Sequence, residues 1–132
     1  MASELRVNTL KDASGNNSVA MSTVAGGSAK AWADIDMTGT AALDNSSNGS
    51  SITDNGTGDV TFTFTSSLSN ANYACSGMTT ANASFDDEGL VHLNYTGGRA
   101  AGSCRFGVTD AHNACDAFDV DPVMVVIHGD LA

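Results

Sequence analysis

Positive charge is what this chain has least of. Five Lys and Arg stand against fifteen Asp and Glu in 132 residues, a formal net charge of -10 with a pI near 4.2. A surface this acidic repels phosphate backbones and anionic lipid heads, which excludes nucleic acid as an expected partner. Long apolar runs are missing too. The longest, residues 123–127, is strand-sized, far below the roughly 18 residues a membrane-spanning helix needs, so no membrane insertion is expected. Glu4, Arg6 and Lys11 occupy the opening where a secretory signal needs an apolar stretch, so a chain folded in a cytoplasm is expected. A single proline, Pro122, excludes a polyproline or linker-like polypeptide. Strong helix formers are scarce, which turns attention to strands and turns.

Catalytic and metal-binding patterns are equally thin. No serine sits in a Gly-x-Ser-x-Gly elbow, and no glycine loop opens a helix. His92, His112 and His128 are scattered and read as solvated side chains. The three cysteines, Cys75, Cys104 and Cys115, lack finger-like spacing for zinc. Cys75 and Cys104 fall at apolar-facing strand positions, where a thiol behaves as a small buried hydrophobe. A disulfide between them stays open if their strands are neighbours. Carboxylates cluster at Asp86, Asp87 and Glu88, and again at Asp110, Asp116, Asp119 and Asp121. The spacing of Asp116, Asp119 and Asp121 offers oxygen ligands for Ca²⁺ but lacks the glycine and terminal Glu of an EF-hand loop, so a solvated acidic loop is the plainer reading. No cofactor is expected. A carbohydrate-active enzyme would need paired carboxylates in a groove, and these acids lie on loops without aromatic platforms.

What is present is alternation of period two. Val60, Phe62 and Phe64 share one face and Thr61, Thr63 and Thr65 the other, the pattern of a half-buried strand. Residues 90–95 put Val91, Leu93 and Tyr95 together, and residues 103–108 turn Cys104, Phe106 and Val108 inward. Residues 123–128 are apolar almost throughout, as in a strand covered on both faces or packed in an interface. Further strands are expected at 5–10, 18–24, 31–38, 50–53 and 72–78. Only residues 21–32 could hold a helical turn, and Gly26 and Gly27 weaken it. Asn- and Gly-rich clusters at 12–17, 44–49 and 53–59 read as turns. Short strands and frequent turns describe an all-β protein, a single antiparallel β-sandwich or jelly roll. Its expected core contains Phe62, Phe64, Val91, Leu93, Phe106, Val125 and Ile127.

The opening has a character of its own. Leu5, Val7 and Leu10 are spaced for a strand, and glycines then separate it from the rest of the chain. Residues 1–28 read as a strand-like attachment or oligomerisation arm and residues 29–132 as the sandwich body. Val123, Val125 and Ile127 join Leu5, Val7 and Leu10 as expected interface residues, with Trp32, the only tryptophan, as a core or interface anchor.

The run Ala29-Lys30-Ala31-Trp32-Ala33-Asp34-Ile35-Asp36, then Gly39-Thr40, then Ser51-Ile52-Thr53-Asp54-Asn55-Gly56-Thr57-Gly58-Asp59 resembles a C-terminal β domain of tail-fibre-like virion proteins of marine tailed phages. Asn70-Ala71-Asn72-Tyr73-Ala74 and the closing Ile127-His128-Gly129-Asp130 extend the resemblance over most of the chain. The opening, Ser3-Glu4-Leu5-Arg6-Val7-Asn8-Thr9-Leu10, is similar to the leader strand such proteins carry. Asp34 and Asp36 stand where the family more often has neutral residues, and Cys104 and Cys115 fall outside its pattern. The resemblance implies a homotrimeric virion structural protein with no catalytic residues, exposed on the particle surface. Its partners would be itself and other virion proteins, tail or major capsid, with a host surface receptor or glycan beyond them. A short tail fibre or receptor-binding appendage is the first expectation and a capsid decoration (cement) protein the alternative.

Overall fold

A computed structural model describes residues 3, 5–80, 89–111 and 115–132. The chain runs through β1 (Thr9–Lys11), β2 (Ser18–Ala20), α1 (Met21–Gly27), β3 (Ala31–Asp36), β4 (Ala42–Ser47), β5 (Gly49–Gly56), β6 (Asp59–Phe64), β7 (Ala74–Thr79), β8 (Gly89–Leu93), β9 (Arg99–Ala100), β10 (Ser103–Asp110) and β11 (Val123–His128). Two antiparallel sheets pack together. One has the order β5-β6-β10-β8 with β9 also pairing to β10, and the other the order β4-β3-β11-β7. The protein is an all-β sandwich.

Alternation explains which sheet faces turn inward. From β6 come Val60, Phe62 and Phe64, and from β10 Cys104, Phe106 and Val108. The opposite sheet contributes Ala31, Ala33 and Ile35 from β3, and Val123, Val125 and Ile127 from β11. Small alanines on β3 leave room for the aromatic rings opposite. Phe62 and Phe64 meet edge to face at 5.4 Å, and Phe64 meets Tyr73 at 6.0 Å. Met37, Leu68, Tyr73 and Val120 complete the core. Five of the seven expected core residues are buried, and Val91 packs against them. Leu93 does not: β8 is an edge strand that ends there, leaving Leu93 half exposed and Tyr95, in the turn beyond, bare.

The hairpin between β5 and β6 shows why its sequence is so particular. Asp54 Oδ1 accepts the Gly56 amide at 2.8 Å, and Gly56 and Gly58 both hold positive φ. A Cβ at Gly58 would lie 2.5 Å from the Val108 carbonyl oxygen, so only glycine fits against β10. Asp119 Oδ1 accepts the Gly58 amide at 2.7 Å and ties the hairpin to the segment before β11.

Three stretches depart from expectation. Residues 44–49 read as a turn, yet most of them lie in β4, which pairs with β3 through a bulge at Asp34 and Ile35. The change of sheet falls on Asn48 alone, at φ 55, whose side chain bonds the Lys30 and Ser66 carbonyls and the Ser66 amide. One asparagine thus replaces a loop. In residues 5–10 only Thr9 and Leu10 belong to a strand, and residues 18–24 split into β2 and α1. The strands β1 and β2 pair with each other and with neither large sheet, and α1 buries no side chain.

Candidate docking face

Strand β11 lies between β3 and β7, so its two faces have different fates. The sequence offered Val123, Val125 and Ile127 as interface residues, with Val125 and Ile127 also expected in the core. They are instead enclosed between the sheets of their own chain and cannot meet a second one. The residues that alternate with them point outward: Met124 is 43% exposed and Val126 partly covered. Register places Met124 opposite Met78 on β7 and Asp34 on β3, and Val126 opposite Ser76 and Trp32. Residues directly opposite in an antiparallel pair share a face. Met78, Met124, Val126 and Trp32 therefore form one apolar patch on the outside of the four-stranded sheet. Met78 is 71% exposed and Trp32 37%. Patches of Trp and Met set in a polar rim are typical of the centres of protein interfaces.

A carboxylate sits inside this patch. Asp34 Oδ1 is out of contact with solvent and, among the described residues, has no hydrogen-bond partner. An acceptor shielded in this way is costly unless something donates to it. Around it runs an acidic rim. Asp36 Oδ1 accepts both the amide and hydroxyl of Thr38 at 2.6 Å, and these bonds hold its carboxyl below the usual range. Asp121 is pushed the other way, first by desolvation and then by the charges of Asp36, Asp44 and Asp34. The rim thus concentrates negative potential beside an apolar surface.

The candidate Ca²⁺ ligands Asp116, Asp119 and Asp121 do not converge. Asp119 is engaged with the Gly58 amide, Asp121 belongs to the acidic rim, and Asp116 is exposed in the loop after β10. Among the described residues no group of three or more His, Cys, Asp or Glu is placed to hold a metal ion. Asp86, Asp87, Glu88 and His112 lie outside the described residues. His92 covers Gly107 on the outer face of the five-stranded sheet, whereas His128 ends β11 in the other sheet. Nothing brings these two together. In the arm, Leu5, Val7 and Leu10 are all exposed, with Leu5 at 81%.

The sequence singled out Trp32 but not Met78, Met124 or Val126, which lie on the same outer face. The signal was there: in a strand apolar at nearly every position, one parity faces the core and the other faces out. The expected core already turned Val125 and Ile127 inward, and pairing with Ala31, Ala33 and Ile35 keeps that parity inside and leaves Met124 and Val126 out.

These features define a β-sandwich with an apolar, acid-rimmed outer face and an exposed N-terminal hairpin and helix. Comparison with protein families, with curated proteins and with solved structures finds no match for this chain.

Proposed function

We propose that this chain is a non-catalytic assembly protein of a tailed-phage virion, a short tail-fibre or receptor-binding appendage module. The observation that carries the assembly role is the outer patch of Trp32, Met78 and Met124 around the Asp34 oxygen that has no partner among the described residues. The phage context rests on the resemblance through Trp32 and the Ser51 to Asp59 residues. The docking partner is another virion protein that brings an apolar surface and a hydrogen-bond donor, such as an Arg, Lys or backbone amide, for Asp34. Two copies of this face would instead bring the carboxylates of Asp34, Asp36, Asp44 and Asp121 together, which like-charge repulsion opposes. Self-association into a homotrimer is therefore assigned to the arm, through Leu5, Val7 and Leu10.

The test is incorporation into particles. Trp32→Ser combined with Met124→Ser is expected to leave the circular dichroism spectrum unchanged and to lower virion incorporation at least tenfold. A double variant that folds and incorporates like the parent chain defeats the proposal. Density for the chain at the tail tip supports the appendage reading. Density on the capsid three-fold axes moves it to the capsid decoration alternative.

A further inference from the structure

Cys75 and Cys104 come from different sheets, β7 and β10, and both point inward. Across the sandwich, Tyr73, two residues before Cys75, donates its hydroxyl to the Ser103 carbonyl at 2.7 Å and so fastens the Cys75 segment beside Cys104, whose thiol feels the Cys75 charge. Cys104 Sγ also donates to the Gly98 carbonyl at 3.3 Å. The sheets are unusually close at this edge. Packed sheets commonly stand about 10 Å apart, yet Cα atoms of β7 and β8 approach within 8 Å. Gly77, two residues from Cys75, permits it: a Cβ there would lie 2.7 Å from Val91 Cγ1 and 3.2 Å from Val125 Cγ1. A crevice of about 50 Å³ opens between β7 and β8, lined by Cys75, Gly77, Val91, Leu93 and Phe106 among others, and Cys75 is only half-buried. Cys104 behind it is fully enclosed.

We propose that Cys75 and Cys104 are an inter-sheet disulfide site, filled by exchange with a small-molecule disulfide when the protein leaves a reducing compartment. In the first step the Cys75 thiolate attacks one sulfur of oxidised glutathione. A bond forms between Cys75 Sγ and that sulfur, the glutathione S–S bond breaks, and the first glutathione leaves as a thiolate that takes up the proton Cys75 lost. The Cys104 thiolate then attacks Cys75 Sγ and expels the second glutathione, which takes the remaining proton. Two protein thiols are oxidised by two electrons, and one oxidised glutathione becomes two reduced ones.

The surroundings make this reaction slow and selective. Burial raises the Cys75 thiol and pushes Cys104 up to about 12, while the nearby Arg99 charge acts in the opposite direction on both. Arg99 is fixed by its bond to the Tyr73 carbonyl at 2.6 Å and lies over the Tyr73 ring. Because only thiolates react, the rate rises with pH. A chain made in a reducing cytoplasm would fold with free thiols and gain the bond only after release. The link would join the two layers where the seam between β7 and β8 is open.

The experiment uses the full chain and its Cys115→Ser variant, which removes the exposed third thiol. Each is incubated with oxidised glutathione at about pH 8.5, then digested and mapped by mass spectrometry without reduction. Expected are the loss of both remaining thiols in the variant, a peptide cross-linked through Cys75 and Cys104, and a melting temperature several degrees higher. Reduction should reverse all three. Cys104→Ala in the Cys115→Ser background should stop at a glutathione adduct on Cys75. A folded Cys115→Ser protein that carries only the Cys75 adduct, or that keeps both thiols free under these conditions, overturns the proposal.

Discussion

At the scale of single residues, Asp34 separates stability from function most clearly. Its shielded oxygen has no donor among the described residues, and a lost hydrogen bond to a buried polar group costs about 1 kcal/mol or more. Asp34→Ala is therefore expected to raise the stability of the free protein by about 1 kcal/mol while weakening attachment to its partner. Denaturation midpoints and virion incorporation, measured on the same variant, should move in opposite directions. Asp59 shows the reverse arrangement. Arg105 donates to it twice, at 2.8 and 2.5 Å, and Asn94 once at 3.1 Å. The Arg105 bond, before any other cause, holds the Asp59 carboxyl below its ordinary value. A depressed carboxyl stabilises the fold above its unfolded pKa and loses that contribution as pH falls through the folded value. Asp59→Asn should lower the melting temperature by a few degrees at pH 7 and make no difference at strongly acid pH. Equal losses at both pH values would show that the ion pair is not the cause.

At the scale of elements, β11 and the arm make opposite contributions. Ile127 is enclosed by β3, β7 and the facing sheet, so Ile127→Ala removes buried methylenes and leaves a cavity. A cost of about 2 to 5 kcal/mol is expected, read from urea unfolding with an unchanged slope. Removing residues 1–28 takes away exposed side chains and a hairpin that pairs with neither sheet. That deletion should leave the sandwich folded but shift sedimentation from trimer to monomer at micromolar concentration. A parent chain that already sediments as a stable monomer would defeat the assignment of self-association to the arm.

Across the whole molecule, charge and thiol burial set the response to solvent. A net charge of -10 opposes compaction, and salt at about 0.5 M reduces the Debye length to a few ångströms. Melting temperature should therefore rise between about 10 mM and 0.5 M salt. Alkali acts the other way. Cys104 ordinarily titrates near 9.0, and burial raises it to about 12 in the folded chain. A group raised in this way supports folding fully below pH 9 and loses its contribution as pH climbs towards 12. Tyr73, also raised first by burial, adds to the loss. Urea midpoints should fall between about pH 8 and pH 10.5, and Cys104→Ala should flatten the fall.

The sequence by itself determined the all-β class, the alternating strands β6 and β10, and most of the core, because a period-two pattern fixes which side chains share a face. It also located the β5–β6 hairpin, since Gly56 and Gly58 mark backbone that few other residues adopt. Only the tertiary structure decided that Met124 and Val126 on the outer side of β11 join Trp32 and Met78 in one patch, since the strands that flank β11 are set by long-range pairing. It alone showed that Asn48 turns the corner between sheets, because a sheet-switching asparagine and a loop asparagine look the same in one dimension. The placement of Cys75 and Cys104 on facing sheets, and not on neighbouring strands, and the shielding of Asp34 belong to the same class. Each depends on strands distant in sequence meeting across a sheet or a core, and local pattern carries no record of that meeting.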